Sequence, residues 1–345
     1  MRVSRSVLLC GLAAAALHAT VSAQSAAVHV ARTPWGDPDF QGNYTNIAEA
    51  GTPLERPKEF DGKNLNDISP AERARLKKEA AERLIGRFLG PTEAPDNWWQ
   101  PAYGKFAELG SQMWLVVDPA DGKVPPLTPD AQARQAARTE ARRKNTRGPA
   151  DSWTDRSLYD RCITRGYPAS GMPSIYGNAY QIIQAPGYVA IVYEMIHETR
   201  VIPLDGRAHV NQRTELDMGD GRGHWEGETL VVETTNFRER SVYQNATPDR
   251  LKVTERFTRV GPKQVRWAVT IDDPTTWTRP WTFALPLTAN ESEPLLAYEC
   301  HEGNYGLRNI LSAARAEEKN GIRPAAGTRP AAPADAAAPA EQTER

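Results

Sequence analysis

The chain has 345 residues, and its 42 Lys and Arg side chains nearly balance 43 Asp and Glu, for a net charge of −1 at pH 7. This balance excludes the strongly basic surface typical of nucleic-acid-binding proteins, and it gives no general attraction to anionic membranes. With 40% hydrophobic residues, the chain can bury one large core, or one core beside a smaller helical part. No feature of the sequence indicates an oligomeric state.

Residues 1–23 have the organisation of an export signal. Arg2 and Arg5 give a positive start, and residues 7–16 form an apolar run that is too short to span a bilayer. A small-residue cleavage motif ends at Ala23. We therefore expect a mature chain that begins near Gln24, is periplasmic or secreted, and has no membrane span.

The cysteines also fit an exported protein. Of the three, Cys10 lies in the signal, so the mature chain keeps Cys162 and Cys300. In an oxidising compartment, two cysteines far apart in sequence are most simply explained by a disulfide, and two separate buried thiols are the alternative. Their spacing is not that of a zinc site, and we expect neither a metal nor a cofactor.

Residues 24–68 contain many turn-forming residues, and their prolines are incompatible with a regular helix. We expect an extended arm that wraps the domain and is fixed by Trp35, Phe40 and Tyr44. Residues 69–179 are predicted to be a helical and irregular segment.

Two helices are expected within that segment. Ser69, Pro70 and Glu72 form a capping box that begins a helix over residues 69–89. A second helix begins at Thr128 and extends to about Lys144. Its basic cluster is either a solvated face or a phosphate-binding patch, and it contains Arg138, Arg142, Arg143 and Lys144.

From residue 180 the pattern is that of β-strands separated by short Gly and Pro turns, which predicts an antiparallel meander. Eight such strands favour closure into a barrel or a tight sandwich, because closure protects the sheet edges. The strands are predicted at residues 180–184, 188–196, 199–203, 229–236, 251–260, 264–272, 281–287 and 295–300. A last helix over 307–319 completes this domain at residue 320, and the Pro/Ala-rich residues 321–345 are expected to be disordered.

The stretch GDGRGHWEGETLVVETTNF, residues 219–237, is the centre of the predicted barrel. Its glycines predict a turn, and its alternation places Leu230, Val232 and Thr234 on one face of the following strand. Both faces mix apolar and polar residues, which favours a sheet around a polar cavity. The charged side chains before the strand would lie in a loop at the mouth of that cavity, and they are Asp220, Arg222, His224 and Glu226.

Four acids fall within predicted strands: Glu194, Glu233, Glu255 and Glu299. Acids that face a closed interior need a partner, because an isolated buried charge is very costly. They therefore either line a polar, ligand-binding lumen or form ion pairs and face solvent. Arg279 is among the candidate partners.

A disulfide between Cys162 and Cys300 would bring Arg161 toward Glu299 and His301. We predict His301, Glu299 and Tyr193 as acid–base residues, because His beside a carboxylate is the common general base. Arg161 and Arg279 would hold an anionic or carbonyl group. The other predicted substrate-binding residues are Glu194, Glu233, Glu255, His197 and Trp277.

Several segments together resemble a large group of exported bacterial proteins. They include TPWGDPDFQGNYTN, DRCITRG, EMIHETRVIPLDGRAH, RGHWEGETLVVETTNF, DDPTTWTRPWT and YECHEGNYGLRNIL, and the similarity covers Thr33 to about Arg315. The resemblance implies one shared domain and a periplasmic or secreted setting, and it carries no activity. The group more often has Arg where this chain has His224, so no essential role is implied for this histidine.

Three functions are compatible with these observations. The first is an exported enzyme that performs acid–base hydrolysis or elimination on a small molecule or oligosaccharide, of the carbohydrate or plant-derived phenolic class. The second is a non-catalytic ligand-binding barrel, and the third is a structural envelope protein. Buried strand acids would favour the first two functions, and surface-exposed, unpaired acids the third. The enzyme and the binder differ in whether a reactive base and an acid both reach one cavity.

Overall fold

The computed structural model describes residues 30–63, 67–89, 110, 112–144, 148, 150–174, 177–292, 294–303 and 305–321, without the side chains of 81–89, 142 and 245. The predicted export signal and almost all of the Pro/Ala-rich tail lie outside the described residues. Among the helices described, none combines the length and apolar character needed to cross a membrane.

One sheet of ten antiparallel strands, nearly closed into a barrel, dominates the described chain. The strand order is β5-β4-β3-β1-β10-β9-β8-β7-β6, and β2 pairs with β10 beside β1. The strands are β1 (Gly42–Thr45), β2 (Val116–Asp118), β3 (Ala179–Ala185), β4 (Tyr188–Tyr193), β5 (Thr199–Pro203), β6 (Asp220–Glu226), β7 (Thr229–Thr235), β8 (Lys252–Gly261), β9 (Gln264–Asp272) and β10 (Trp281–Ala289). The predicted mainly-β meander is therefore confirmed, and barrel-like closure describes it better than a sandwich.

The described residues contain three α-helices, which lie at the predicted positions. They are α1 (Pro70–Leu89), α2 (Pro129–Lys144) and α3 (Gly306–Lys319). Ser69 Oγ accepts from the amide of Glu72 at 3.2 Å and Thr128 Oγ1 from that of Ala131 at 3.2 Å, whereas the Glu72 carboxylate, predicted to complete a capping box, accepts from Arg75. The bonds to Ser69 and Thr128 satisfy amides that the first helical turn leaves without partners.

Two strand predictions are wrong. Residues 295–300 are not a strand, so Glu299 lies in a loop. Asp220–Glu226, predicted as a turn cluster, is β6. The glycines of β6 have a structural reason, because a Cβ on Gly223 would lie 2.6 Å from Leu204 Cδ2 and 3.0 Å from Ile202 Cγ2. Gly223 therefore leaves room for the side chains of Ile202 on β5 and of Leu204, which follows β5.

The barrel core is aromatic and aliphatic, with one ion pair in it. Glu255 on β8 lies opposite Val232 and Val269, both fully buried, so its carboxylate faces the interior. Arg200 reaches it from β5, and its Nη2 lies 2.6 Å from Glu255 Oε2. Of the two faces of β7, the one with Leu230, Val232 and Thr234 points inward, because Leu230 and Val232 belong to the core and Thr234 bonds to Arg200.

Replacing Glu255 with Leu leaves the guanidinium of Arg200 buried without its carboxylate. We expect the free energy of unfolding to fall by about 3–5 kcal/mol. Glu233→Leu is the matched control, because this acid lies on the adjacent strand with a side chain that is 45% exposed, and its effect should stay within about 0.5 kcal/mol. Urea unfolding of both variants measures the difference.

A double variant distinguishes the loss of the pair from poor packing of leucine. Adding Arg200→Met to Glu255→Leu removes both charges, so part of the lost stability should return. Equal, near-neutral unfolding free energies for Glu255→Leu and Glu233→Leu would contradict the assignment of Glu255 to the interior.

Candidate functional site

The interior of the barrel contains a polar network centred on Arg200. Besides Glu255, the guanidinium donates to Thr234 Oγ1 at 2.9 Å and to the Tyr193 hydroxyl at 3.4 Å. Trp267 Nε1 donates to the second carboxylate oxygen of Glu255 at 2.9 Å, and the guanidinium lies 3.8 Å from the centre of the Tyr167 ring. The charged groups are thus paired and surrounded by aromatic side chains, as buried charges must be.

This interior has almost no free space. Its cavity has a volume of about 10 Å³ and is lined by Gly171, Tyr180, Ile182, Ile191, Tyr193, Phe257, Trp267 and Leu287. Such a volume holds about one water molecule. Burial also raises the pKa of Tyr193 to about 12, although Arg200 lowers it, so the phenol stays protonated at neutral pH. The polar interior exists, but it is filled by its own side chains.

The four predicted strand acids do not share one cavity. Only Glu255 lies inside. Glu194 is half-buried beyond β4, where its carboxylate accepts from the Ala179 amide at 3.3 Å and burial raises its pKa. Glu233 faces outward, with Lys252 Nζ at 3.5 Å and His209 Nε2 at 3.6 Å, and Glu299 is exposed. The predicted convergence of these acids is therefore wrong.

The disulfide between Cys162 and Cys300 is present, with their Cα atoms 5.7 Å apart, which confirms that pairing. The predicted acid–base set is not assembled beside it. Glu299 and His301 are exposed, whereas the Tyr193 hydroxyl lies in the barrel, and no hydrogen bond between described residues joins the three.

The remaining predicted binding residues lie apart from one another. Arg161 stacks on Trp153, with Cζ 4.7 Å from the ring centre, whereas Arg279 pairs with Asp118 at 2.7 Å on the surface. His197 Nε2 accepts from the amide of Tyr298. Of the predicted set, Trp277 is the residue that lines a substantial cavity, which is described below.

Glu198 is a site residue that the sequence did not reveal. Its carboxylate accepts from Ser170 Oγ at 2.5 Å, from Thr164 Oγ1, and from the Arg165 amide at 3.3 Å. Burial raises its pKa, and these hydrogen bonds only partly oppose that effect. The neighbouring Ile196 and His197 have φ angles of 59° and 53°, a left-handed backbone that is unfavourable for an isoleucine.

The raised pKa of Glu198 predicts a pH dependence of stability. Unfolded Glu198 ionises near 4.5 and folded Glu198 at higher pH, so the folded state holds more protons between these values. Stability attributable to this residue therefore falls as pH rises through that window. Glu198→Gln removes the titration, so its melting temperature relative to wild type should rise from about pH 4 to about pH 7.

Wild type measured at the same pH values is the reference for this comparison. Glu194 titrates in every one of these proteins and cancels in the comparison. A Glu198→Gln difference that does not change with pH would contradict the raised pKa.

A second and larger space than the interior cavity is a cleft between α2 and residues 273–277, which follow β9. Its volume is about 270 Å³. We call it the α2 cleft, and it is lined by Val124, Pro125, Leu127, Ala131, Arg134, Gln135, Arg138, Gln244, Thr276 and Trp277. Half of these residues are apolar, and the polar ones carry guanidinium, amide or hydroxyl groups.

Arg134 fastens α2 to the barrel at this cleft. Its Nη2 donates to Thr247 Oγ1 at 3.3 Å, to the Thr275 carbonyl at 3.1 Å and to Thr276 Oγ1 at 3.1 Å. Behind these groups lies Asp273, whose oxygens accept from Thr247, Thr275 and Thr276. Burial raises the pKa of Asp273, but the hydrogen bonds outweigh this and its pKa is lowered.

The opposite wall of the α2 cleft is rigid. Trp277 is buried and meets Trp281 edge-on, with ring centres 5.8 Å apart. Gln244 has φ of 46°, an unusual conformation for a residue other than glycine, and such positions are often found at functional sites. The sequence indicated Trp277 and the basic character of α2, but it did not indicate that the two form one cleft.

No protein-family model matches this sequence, and a comparison with curated proteins gives no match either. Among solved structures, the chain is similar to a secretary abundant heat soluble (SAHS) protein from Ramazzottius varieornatus, crystallised from a dimer sample. The identity is 10%, the TM-score is 0.24, and the alignment covers 39% of this chain and 87% of that chain. A similarity at this level supports no statement about the function of this protein.

Proposed function

We propose that the protein binds a small organic molecule in the α2 cleft, as an exported, non-catalytic binding protein. The observation that carries this proposal is the volume of about 270 Å³ in this cleft, against about 10 Å³ in the barrel interior. Ligand pockets in proteins begin at roughly 300 Å³, so the α2 cleft fits a small molecule better than an oligosaccharide.

The composition of the cleft supports binding over turnover. A ligand site typically combines apolar walls with a few polar groups that fix orientation, and the α2 cleft has both. Among the described residues that line it there is no His, Asp, Glu, Cys, Lys or Tyr. General acid–base catalysis needs such a group within hydrogen-bond reach of the substrate.

Export to the periplasm or out of the cell belongs to the same proposal. It is supported by the signal-like residues 1–23 and by the disulfide between Cys162 and Cys300. Disulfides form and persist in oxidising compartments.

A hydrolase or lyase activity is the second candidate. It is favoured by Glu198, a carboxyl group with a raised pKa next to two residues with left-handed backbone. Perturbed pKa values and backbone strain cluster at catalytic sites. Conversion of a bound compound that is lost in Glu198→Gln would favour this candidate over simple binding.

A substitution that fills the α2 cleft with a large side chain tests the binding proposal. Gln135 is exposed and lines the cleft, so Gln135→Trp fills it without disturbing the core. A thermal-shift and calorimetric screen with small anionic, neutral and cationic compounds should find binders of the wild type. Their affinity should fall by at least about tenfold, or about 1.4 kcal/mol, in Gln135→Trp.

Ala137→Trp is the matched control, because it adds the same side chain to an exposed position of α2 that does not line the cleft. It should bind like the wild type. If no compound of any class binds, or if the binders are indifferent to Gln135→Trp, the proposed function is wrong.

A further inference from the structure

We infer that the ligand of the α2 cleft is a small organic carboxylate with an apolar or aromatic body. This inference rests on the proposed function and goes further, because it assigns the charge and the shape of the ligand. It depends on the hydrogen-bond partners of Arg134, on the absence of acids among the described residues that line the cleft, and on the arrangement of the apolar wall.

Arg134 is half-buried, and its hydrogen-bond partners are all neutral. Within the described residues it has no carboxylate at ion-pair distance, and its three hydrogen bonds all leave from Nη2. Half-buried Arg56 and Arg259 likewise bond only to neutral acceptors, whereas two other arginines of this chain have a carboxylate partner. Arg200 pairs with Glu255 at 2.6 Å and Arg222 with Asp220 at 2.5 Å.

Asp273, which lies behind Thr276, does not supply the missing partner. Its Oδ1 accepts from the amide and hydroxyl of Thr275, and its Oδ2 accepts from the Thr247 amide and the Thr276 hydroxyl. Both oxygens are therefore occupied by donors of the surrounding loops. The donors on Nε and Nη1 of Arg134 are left for a ligand that enters the cleft.

A second guanidinium reinforces the positive charge. Arg138 lies four residues after Arg134 on α2, and residues at this spacing are on the same helical face. Both line the cleft, together with the amides of Gln135 and Gln244 and with no acid. A half-buried pair of positive charges attracts an anion, and the planar fork of arginine matches a carboxylate by two parallel hydrogen bonds.

The apolar wall excludes a bare inorganic anion as the best ligand. Val124, Pro125 and Leu127 face the same space as Trp277, and a free phosphate would leave them in contact with water. Burying apolar surface contributes about 25 cal/mol per Å². An aliphatic or aromatic body beside the carboxylate gains this burial free energy, and the carboxylate gains hydrogen bonds from the guanidinium groups.

Three probes of matched shape test the charge of the ligand. Benzoate, benzamide and benzylamine present an anion, a neutral group and a cation on the same ring. By isothermal titration calorimetry on the full mature chain, we expect benzoate to bind at least about tenfold more tightly than benzamide, as for a charge-assisted hydrogen bond. Benzylamine should bind more weakly still, and inorganic phosphate more weakly than benzoate.

Variants of α2 identify the groups responsible. Arg138→Gln should lower the benzoate-to-benzamide ratio, because it removes one of the two positive charges of the cleft while Arg134 remains. The matched control is Arg143→Gln, which removes the same charge from the same helix at an exposed residue paired with Glu140, and it should keep the ratio. Because Arg134 also fastens α2, its test is Arg134→Lys, which retains the charge but loses the planar fork and should weaken benzoate alone.

The outcomes separate this inference from the proposed function. If benzamide or benzylamine binds as tightly as benzoate, or if Arg138→Gln leaves the ratio unchanged, the carboxylate inference is overturned while binding in the cleft stands. If none of the probes binds and the wider screen also finds no ligand, both are overturned.

Discussion

The ion pair between Arg200 and Glu255 completes the barrel where backbone hydrogen bonds do not. In the described sheet order, β5 and β6 are the two ends, and no ladder joins them. Arg200 extends from β5 past Gly221 of β6, where a Cβ would lie 3.4 Å from its Nη2, and bonds to Thr234 on β7 and Glu255 on β8. One side chain from one end of the sheet is thereby bound to the second and third strands from the other end.

This closure determines where a ligand can bind. A buried guanidinium needs its carboxylate and its hydroxyl partners, and these groups together with the surrounding aromatic rings occupy the interior. The barrel interior is consequently filled by side chains and leaves no room for a ligand. Residues 273–277, which follow β9, include Trp277, whose ring packs on Trp281. Arg134 binds α2 to these residues through hydrogen bonds to Thr275 and Thr276. The space between them is the α2 cleft, whose two walls are formed by rigid elements.

The sequence predicted those parts of the fold that have a regular local pattern. Strands with apolar alternation between Gly or Pro turns were recognised, and β5 and β9 have the predicted bounds. β6 was missed because its inward positions are Gly221 and Gly223, which leave no apolar periodicity to read. Residues 295–300 have strand-like composition, but Leu296 there is 64% exposed, so no apolar face is buried to hold a strand.

The site was harder to predict, for a physical reason. Glu233 and Glu255 both lie in strands with mixed faces, and the direction of each depends on pairing register, which a single strand does not reveal. The α2 cleft combines residues 124–138 with Gln244, Thr276 and Trp277, so no local motif contains it. The sequence did indicate the chemical groups that line the cleft, namely arginines on a helix and a tryptophan near a strand.

The central claim is that a ligand binds outside the barrel and not within it. Trp277 lines the α2 cleft and Trp267 lines the small interior cavity, so their indole N–H signals report on the two places separately. The most direct measurement is an NMR titration of protein with ¹⁵N-labelled tryptophan, using the tightest-binding compound of the small-molecule screen. Binding in the α2 cleft predicts that the Trp277 indole signal shifts to saturation while that of Trp267 stays in place. A saturable shift of Trp267 with an unchanged Trp277 would contradict it.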